Sequence, residues 1–188
     1  MGGELNMSYY GLPLRHDFIR DTLARNENDF HLILSNKIKF LKWYRIQRTE
    51  IEFGIWKKMA KLIKFYSFKT KPEADGKLDI MFILEGFGEK EGITRSLCIE
   101  IKDGEFSVDD LLKYKIMENV FHNIPILPAD SSEDPLIVLA WEENINKATD
   151  NQPGEFEKEH NWSIRFIPLE RFYPLLQREY FAIGEGIV

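Results

Sequence analysis

The apolar and polar positions of this 188-residue chain change period several times along its length. From Arg15 to about Arg25, Phe18, Ile19, Thr22 and Leu23 recur at helical spacing, which predicts a short amphipathic helix. Asn26-Glu27-Asn28-Asp29 breaks it. Residues 30–47 are rich in apolar groups (Phe30, Leu32, Ile33, Leu34, Ile38, Phe40, Leu41, Trp43, Tyr44, Ile46) without a clean period. They are assigned mostly to helix, with Ser35-Asn36 as a helix start inside them. A firmer helix is expected from about Thr49 to Phe65. There Ile51, Ile55, Trp56, Met59, Leu62 and Ile63 form an apolar stripe, and Lys57, Lys58, Lys61 and Lys64 load the other side. Thr49-x-x-Glu52 matches a capping box at its start. Tyr66, Phe68 and Thr70 then alternate with Ser67, Lys69 and Lys71 as in a first strand, and 72–76 make a turn.

Two further strands, about 77–85 and 95–102, flank the charged, glycine-rich stretch from Glu85 to Gly92 and read as an antiparallel hairpin. Ser107 to about His122 is the second helix: Ser107 caps it, and Asp109-Asp110 lie in the first turn, where the dipole favours acids. The continuous apolar run Leu136 to Trp141 suits an interior strand buried on both faces. Residues 142–160 are polar and acidic, with Pro153-Gly154, and are expected to be a mobile surface loop. A last strand is expected at 163–167 and a last helix at 169–181.

The hairpin carries the chemistry. Alternation along the second strand puts Leu97, Ile99 and Ile101 on one face, and Cys98, Glu100 and Lys102 on the other. Asp79 is available on the neighbouring strand. Two carboxylates at a sheet edge make a hard oxygen site for Mg²⁺ or Mn²⁺. A lysine two residues along can orient a water and help deprotonate it. Such an arrangement suits phosphodiester hydrolysis. Against it stands the plain alternative of a cross-strand ion pair between Asp79 and Lys102.

Composition narrows the setting. The 44% hydrophobic and 13% aromatic content can bury one core, so residues 1–188 are read as a single domain. No run of 18 apolar residues is present, and no basic-then-apolar leader opens the chain, so a cytoplasmic protein without a membrane span is expected. The lone Cys98 fits a reducing compartment. His16, His31, His122 and His160 are scattered and make no zinc pattern. The net charge of −6 is unevenly spread. Residues 1–72 hold 14 Lys and Arg against 7 Asp and Glu, and residues 37–71 hold 11 against 2. A basic element on an acidic body fits a local phosphate-binding surface, though a solvated helix face would look the same.

The order helix–strand–strand–strand–helix–strand, with Asp79 and Glu100-Ile101-Lys102 on the hairpin, resembles the PD-(D/E)XK nuclease superfamily. The region Thr49 to Ile55 is similar to the corresponding part of archaeal Holliday-junction resolvases, and the pattern as a whole resembles most nearly these and small archaeal-virus nucleases. Asp110-Leu111-Leu112-Lys113-Tyr114 keeps the tyrosine and spacing of the RecB-like Gln-x-x-x-Tyr pattern but not its glutamine. The resemblance implies an α/β fold with a restriction-endonuclease-like core, a mixed sheet flanked by helices, at 46–141. Residues 1–45 would be an N-terminal helical extension and 142–188 a loop with a C-terminal strand–helix extension. It implies an Mg²⁺- or Mn²⁺-dependent DNA endonuclease, structure-selective for branched or junction DNA, without a small-molecule cofactor. Asp79, Glu100, Glu52 and the carbonyl of Ile101 would hold the metal, and Lys102 would place the water. Glu52 is equally placed to be a helix cap, with Glu50 as the spare acid. Lys57, Lys58, Lys61, Lys64, Lys113, Tyr114 and Lys115 would contact DNA. Relatives that cut two strands dimerise, and the apolar stretch 30–46 exceeds what a small core needs, so a homodimer is expected. The alternative is a non-catalytic nucleic-acid-binding or assembly protein that keeps the fold.

Overall fold

Five strands form one mixed sheet in the order β1-β2-β3-β4-β5: β1 Tyr44–Phe53, β2 Leu78–Gly86, β3 Thr94–Lys102, β4 Leu136–Ala140 and β5 Ile164–Pro168. The computed structural model describes residues 14–53, 78–107, 110, 114, 136–151 and 164–185. β1, β2 and β3 are antiparallel neighbours, whereas β4 runs parallel to β3 and β5 parallel to β4. Helices α1 (His16–Arg25) and α2 (Glu27–Ser35) precede β1; α3 (Glu142–Asn151) joins β4 to β5, and α4 (Tyr173–Glu185) ends the described chain. The fold is α/β, with a mixed sheet flanked by helices.

One face of the sheet carries the core. Ile80, Phe82 and Leu84 of β2 and Leu97, Ile99 and Ile101 of β3 are buried there with Ile19 and Leu23 of α1, Phe30 and Leu34 of α2, and Leu175 and Leu176 of α4. Phe30 is the hub, with its ring 5.3 Å from that of Phe82 and 4.9 Å from that of Phe172. α1 forms as its spacing predicts: Asp17 in its first turn and Arg25 in its last complement the helix dipole. A smaller aromatic group brings Phe106 against Phe166 of β5 and Tyr114, at centroid distances of 5.6 and 6.2 Å.

The expected helix from Thr49 is overturned at its start, because 49–53 belong to β1. The reason is a bulge. Ile46 pairs with Leu84 and Arg48 with Ile83, so Gln47 is an extra residue on the β1 side. It shifts the positions paired with the core residues of β2 from even (Ile46 with Leu84) to odd (Thr49 with Phe82, and the exposed Ile51 with Ile80), which hides the period of two from a reading along the sequence. Thr49 therefore caps no helix; its hydroxyl donates to the Glu27 carboxylate of α2. The remainder of that helix and the strand at 66–71 lie outside the described residues.

Two other expectations change. Residues 30–47 are not one helix: α2 stops at Ser35, a short 3-10 turn covers Lys39–Trp43, and Ser35-Asn36 ends a helix rather than starting one. The polar stretch after β4 begins as α3, not as a loop. Its first N–H, that of Glu142, is capped by the Glu170 carboxylate at 3.0 and 3.1 Å, a partner 28 residues away that local sequence cannot reveal.

A candidate metal and phosphodiester site

The last β2–β3 pair is Ile80–Ile99, and the two candidate acids lie just beyond it, Asp79 on β2 and Glu100 on β3. Past that point the ladder between β2 and β3 ends, and a buried amide there needs another acceptor. Asp79 supplies it: Oδ2 accepts the Ile101 N–H at 2.7 Å. Glu100 is only 3% exposed, on the sheet face away from the main core, across from Val138 of β4. Lys102, two residues on, shares its side of the strand. Its Nζ lies 2.8 Å from Asp110 Oδ2.

The residue that sequence reasoning passed over is His16. As the first residue of α1 it places Nε2 3.0 Å from Asp79 Oδ1. Its Nδ1 lies 3.2 Å from Asp17 Oδ1, and its backbone N–H donates to Asp103 Oδ2 at 3.2 Å. The hydrogen bond to Asp79 is the main cause that lifts its pKa to about 9, against the opposing effect of burial. The imidazole is therefore charged at neutral pH. A signal was present: His16 precedes Ile19 by three positions and Leu23 by seven, so it lies on the buried stripe of its helix.

The neighbours respond to these carboxylates. Burial, and then the Glu100 charge, push the Cys98 thiol far up, so it stays protonated. Burial holds the Tyr114 hydroxyl protonated as well, helped by the charges of Glu100, Asp110 and Asp79. Burial alone would raise Asp110, but the Lys102 ammonium and the Ser107 N–H hold its carboxyl below the ordinary value.

Among the described residues, no three or more His, Cys, Asp or Glu side chains are arranged as they stand to hold a metal ion. The donor chemistry nonetheless fits one. Neighbouring ligands around an octahedral ion with bonds of about 2.1 Å sit roughly 3.0 Å apart. His16 Nε2 and Asp79 Oδ1 stand at an ordinary hydrogen-bond distance, so an ion could take this pair only after the proton is displaced, and it would lie off the line joining the two atoms.

The other site residues fare differently. Glu52 lies in a strand, not at a helix start, which removes the cap as its role; the pairs Ile51–Ile80 and Phe53–Leu78 set its backbone opposite Asp79. Ile101 contributes its N–H to the site. Tyr114 is 2% exposed and packed on Phe106, so it does not present itself to DNA as a surface residue would. Lys57, Lys58, Lys61, Lys64, Lys113 and Lys115 lie outside the described residues.

The His16–Asp79 pair has a measurable consequence. A pKa raised from 6.5 to about 9 means the folded chain keeps a proton that the unfolded chain releases between those values. The stability it contributes is full below about pH 6.5 and is lost as pH rises through about 9. In EDTA, the melting temperature should fall by a few degrees across that window, the imidazole being a third exposed and partly screened. His16→Gln should flatten the slope. An equal slope in the variant would assign the proton to another group.

No family model, curated protein or solved structure matches the chain. Among the described residues no helix is long and apolar enough to cross a membrane.

Proposed function

We propose that this chain is a metal-dependent endonuclease of the PD-(D/E)XK type that hydrolyses phosphodiester bonds in DNA. The observation that carries the reading is the placing of Asp79 and Glu100 side by side where β2 and β3 part, with Lys102 two residues along. The element order supports it too: helices first, three antiparallel strands, helical residues at 110 and 114, then a parallel β4. On this reading the fold is restriction-endonuclease-like, with α1 and α2 preceding the first strand of the core.

Asp79 and Glu100 would hold Mg²⁺ or Mn²⁺, with His16 as a third ligand once its proton is displaced, and Glu52 and the Ile101 carbonyl as further candidates. Bound there, the ion would neutralise charge developing on the phosphate. The chain's own part is orientation. The Ile101 N–H fixes the Asp79 carboxylate, and Lys102 donates to the attacking water and holds it in line with the leaving oxygen. Exposed Lys37, Lys39 and Lys42 would track the phosphate backbone, together with the lysines of 57–64. No base-reading motif is evident, which favours a structure-selective enzyme for branched DNA. Leu32 and Trp43, left exposed in the 30–46 stretch, are candidate contacts in a homodimer.

One observation favours the non-catalytic alternative: both Asp79 oxygens and the Lys102 amine already have protein partners. Labelled duplex, single strand, flap and four-way junction, each incubated with Mg²⁺ and then Mn²⁺, separate the two readings. The wild type should nick at least one of them. EDTA should stop it, and Glu100→Gln should cut at least about a hundredfold more slowly while still binding. Binding without cleavage under either metal would select the non-catalytic reading.

A further inference from the structure

Lys102 is held by a residue, Asp110, that is also tied to the backbone at Ser107. Asp110 N–H donates to Ser107 Oγ at 3.1 Å, and Ser107 N–H donates back to Asp110 Oδ2 at 2.9 Å, a reciprocal cap. That same Oδ2 lies 2.8 Å from Lys102 Nζ. A cap acid ordinarily faces solvent, and an exposed ion pair alone leaves a lysine free to rotate. Here both side chains are largely covered, 27% and 23% exposed. The carboxylate is locked by a backbone N–H, so the ammonium it binds has a fixed position on the Glu100 side of β3.

We infer that Asp110 is a positioning residue: through the Ser107 cap it fixes the Lys102 amine beside the Asp79–Glu100 site. The inference rests on the nuclease reading for its consequence in cleavage, but not for the placing of the amine. Without Asp110, the four-carbon stem of Lys102 would sample several rotamers, and a water held by it would lose its alignment.

The test labels the full chain by reductive methylation with isotopic formaldehyde and follows Lys102 by mass spectrometry against the other lysines. Asp110→Ala should label Lys102 at least about fivefold faster than the wild type does. Asp110→Glu, which keeps an acid in the cap, should restore protection. Ser107→Ala, which weakens the cap and leaves the charge, controls for helix fraying and should raise labelling less than Asp110→Ala. In cleavage, Asp110→Ala should lower kcat by about tenfold or more with KM for DNA nearly unchanged, and Asp110→Glu should recover most of it. Unchanged Lys102 labelling in Asp110→Ala overturns the inference, as does raised labelling with an unchanged kcat. A wild type that cuts nothing removes the nuclease reading, and the labelling result then decides by itself whether Asp110 fixes the amine.

Discussion

Asp79→Asn is expected to reduce metal-dependent cleavage by more than about a hundredfold, because even groups that only support a metal ligand are worth ten- to hundredfold. The two Asp79 oxygens do different work, and this substitution separates them. An amide oxygen can still accept the Ile101 N–H that Oδ2 accepts now, so the junction of β2 and β3 should hold. The amide carries no charge for a divalent ion, nor for the imidazolium of His16 at Oδ1. Three readouts should therefore move together. Mn²⁺ affinity measured by calorimetry should collapse, nicking should be lost, and the His16-dependent fall in stability between pH 6.5 and 9 should flatten. The metal-free melting temperature at about pH 10, above the raised pKa of His16, should change little, since the ion pair no longer contributes there. Wild-type cleavage by Asp79→Asn would remove the carboxylate from the mechanism.

For stability the largest effect is expected at Phe30. Its fully buried ring joins α2 to β2 through Phe82 and to the turn before α4 through Phe172. Truncation to alanine should cost about 3–5 kcal/mol for lost burial and the cavity left behind. Loss of the two ring contacts accounts for part of that, at about 0.5–1.5 kcal/mol each. Against a total stability of about 5–15 kcal/mol, such a loss leaves a marginal fold. At about 2–4 °C per kcal/mol for a chain of this size, the melting temperature should drop by roughly 6–20 °C. Phe30→Leu should keep more than half of the difference, and Ile183→Ala, at a position 47% exposed, should stay within about 0.5 kcal/mol of wild type. If Phe30→Ala melted with the wild type, α2 would not be docked on the sheet in solution.

Several elements could be read from the chain because their information is local. α1 announces itself by its apolar spacing and terminal charges, β4 by an unbroken apolar run, and the β2–β3 hairpin by two strands around a glycine-rich loop. The alternation of β3 was enough to set Glu100 and Lys102 apart from Leu97, Ile99 and Ile101, and all three of these apolar side chains are in the core. Strand parity is a property of the backbone, so it needs no partner to be known.

What had to wait for the tertiary structure depends on residues far apart in sequence. Nothing local tells that Gln47 is a bulge, because a bulge exists only against a partner strand, and without it 49–53 read as helix. α3 needs the distant carboxylate of Glu170. The candidate site follows the same division. Asp79, Glu100 and Lys102 were legible as a pattern, but their partners His16, Ile101 and Asp110 are not inferable from it. The pair His16–Asp79 spans α1 and β2, and the charge on the imidazole arises only where folding brings them to 3.0 Å. Residue types and periodicity thus determined which side chains could do chemistry. Which of them meet, and in which charge state, was decided by long-range packing, since electrostatic coupling depends on distance through space and not along the chain.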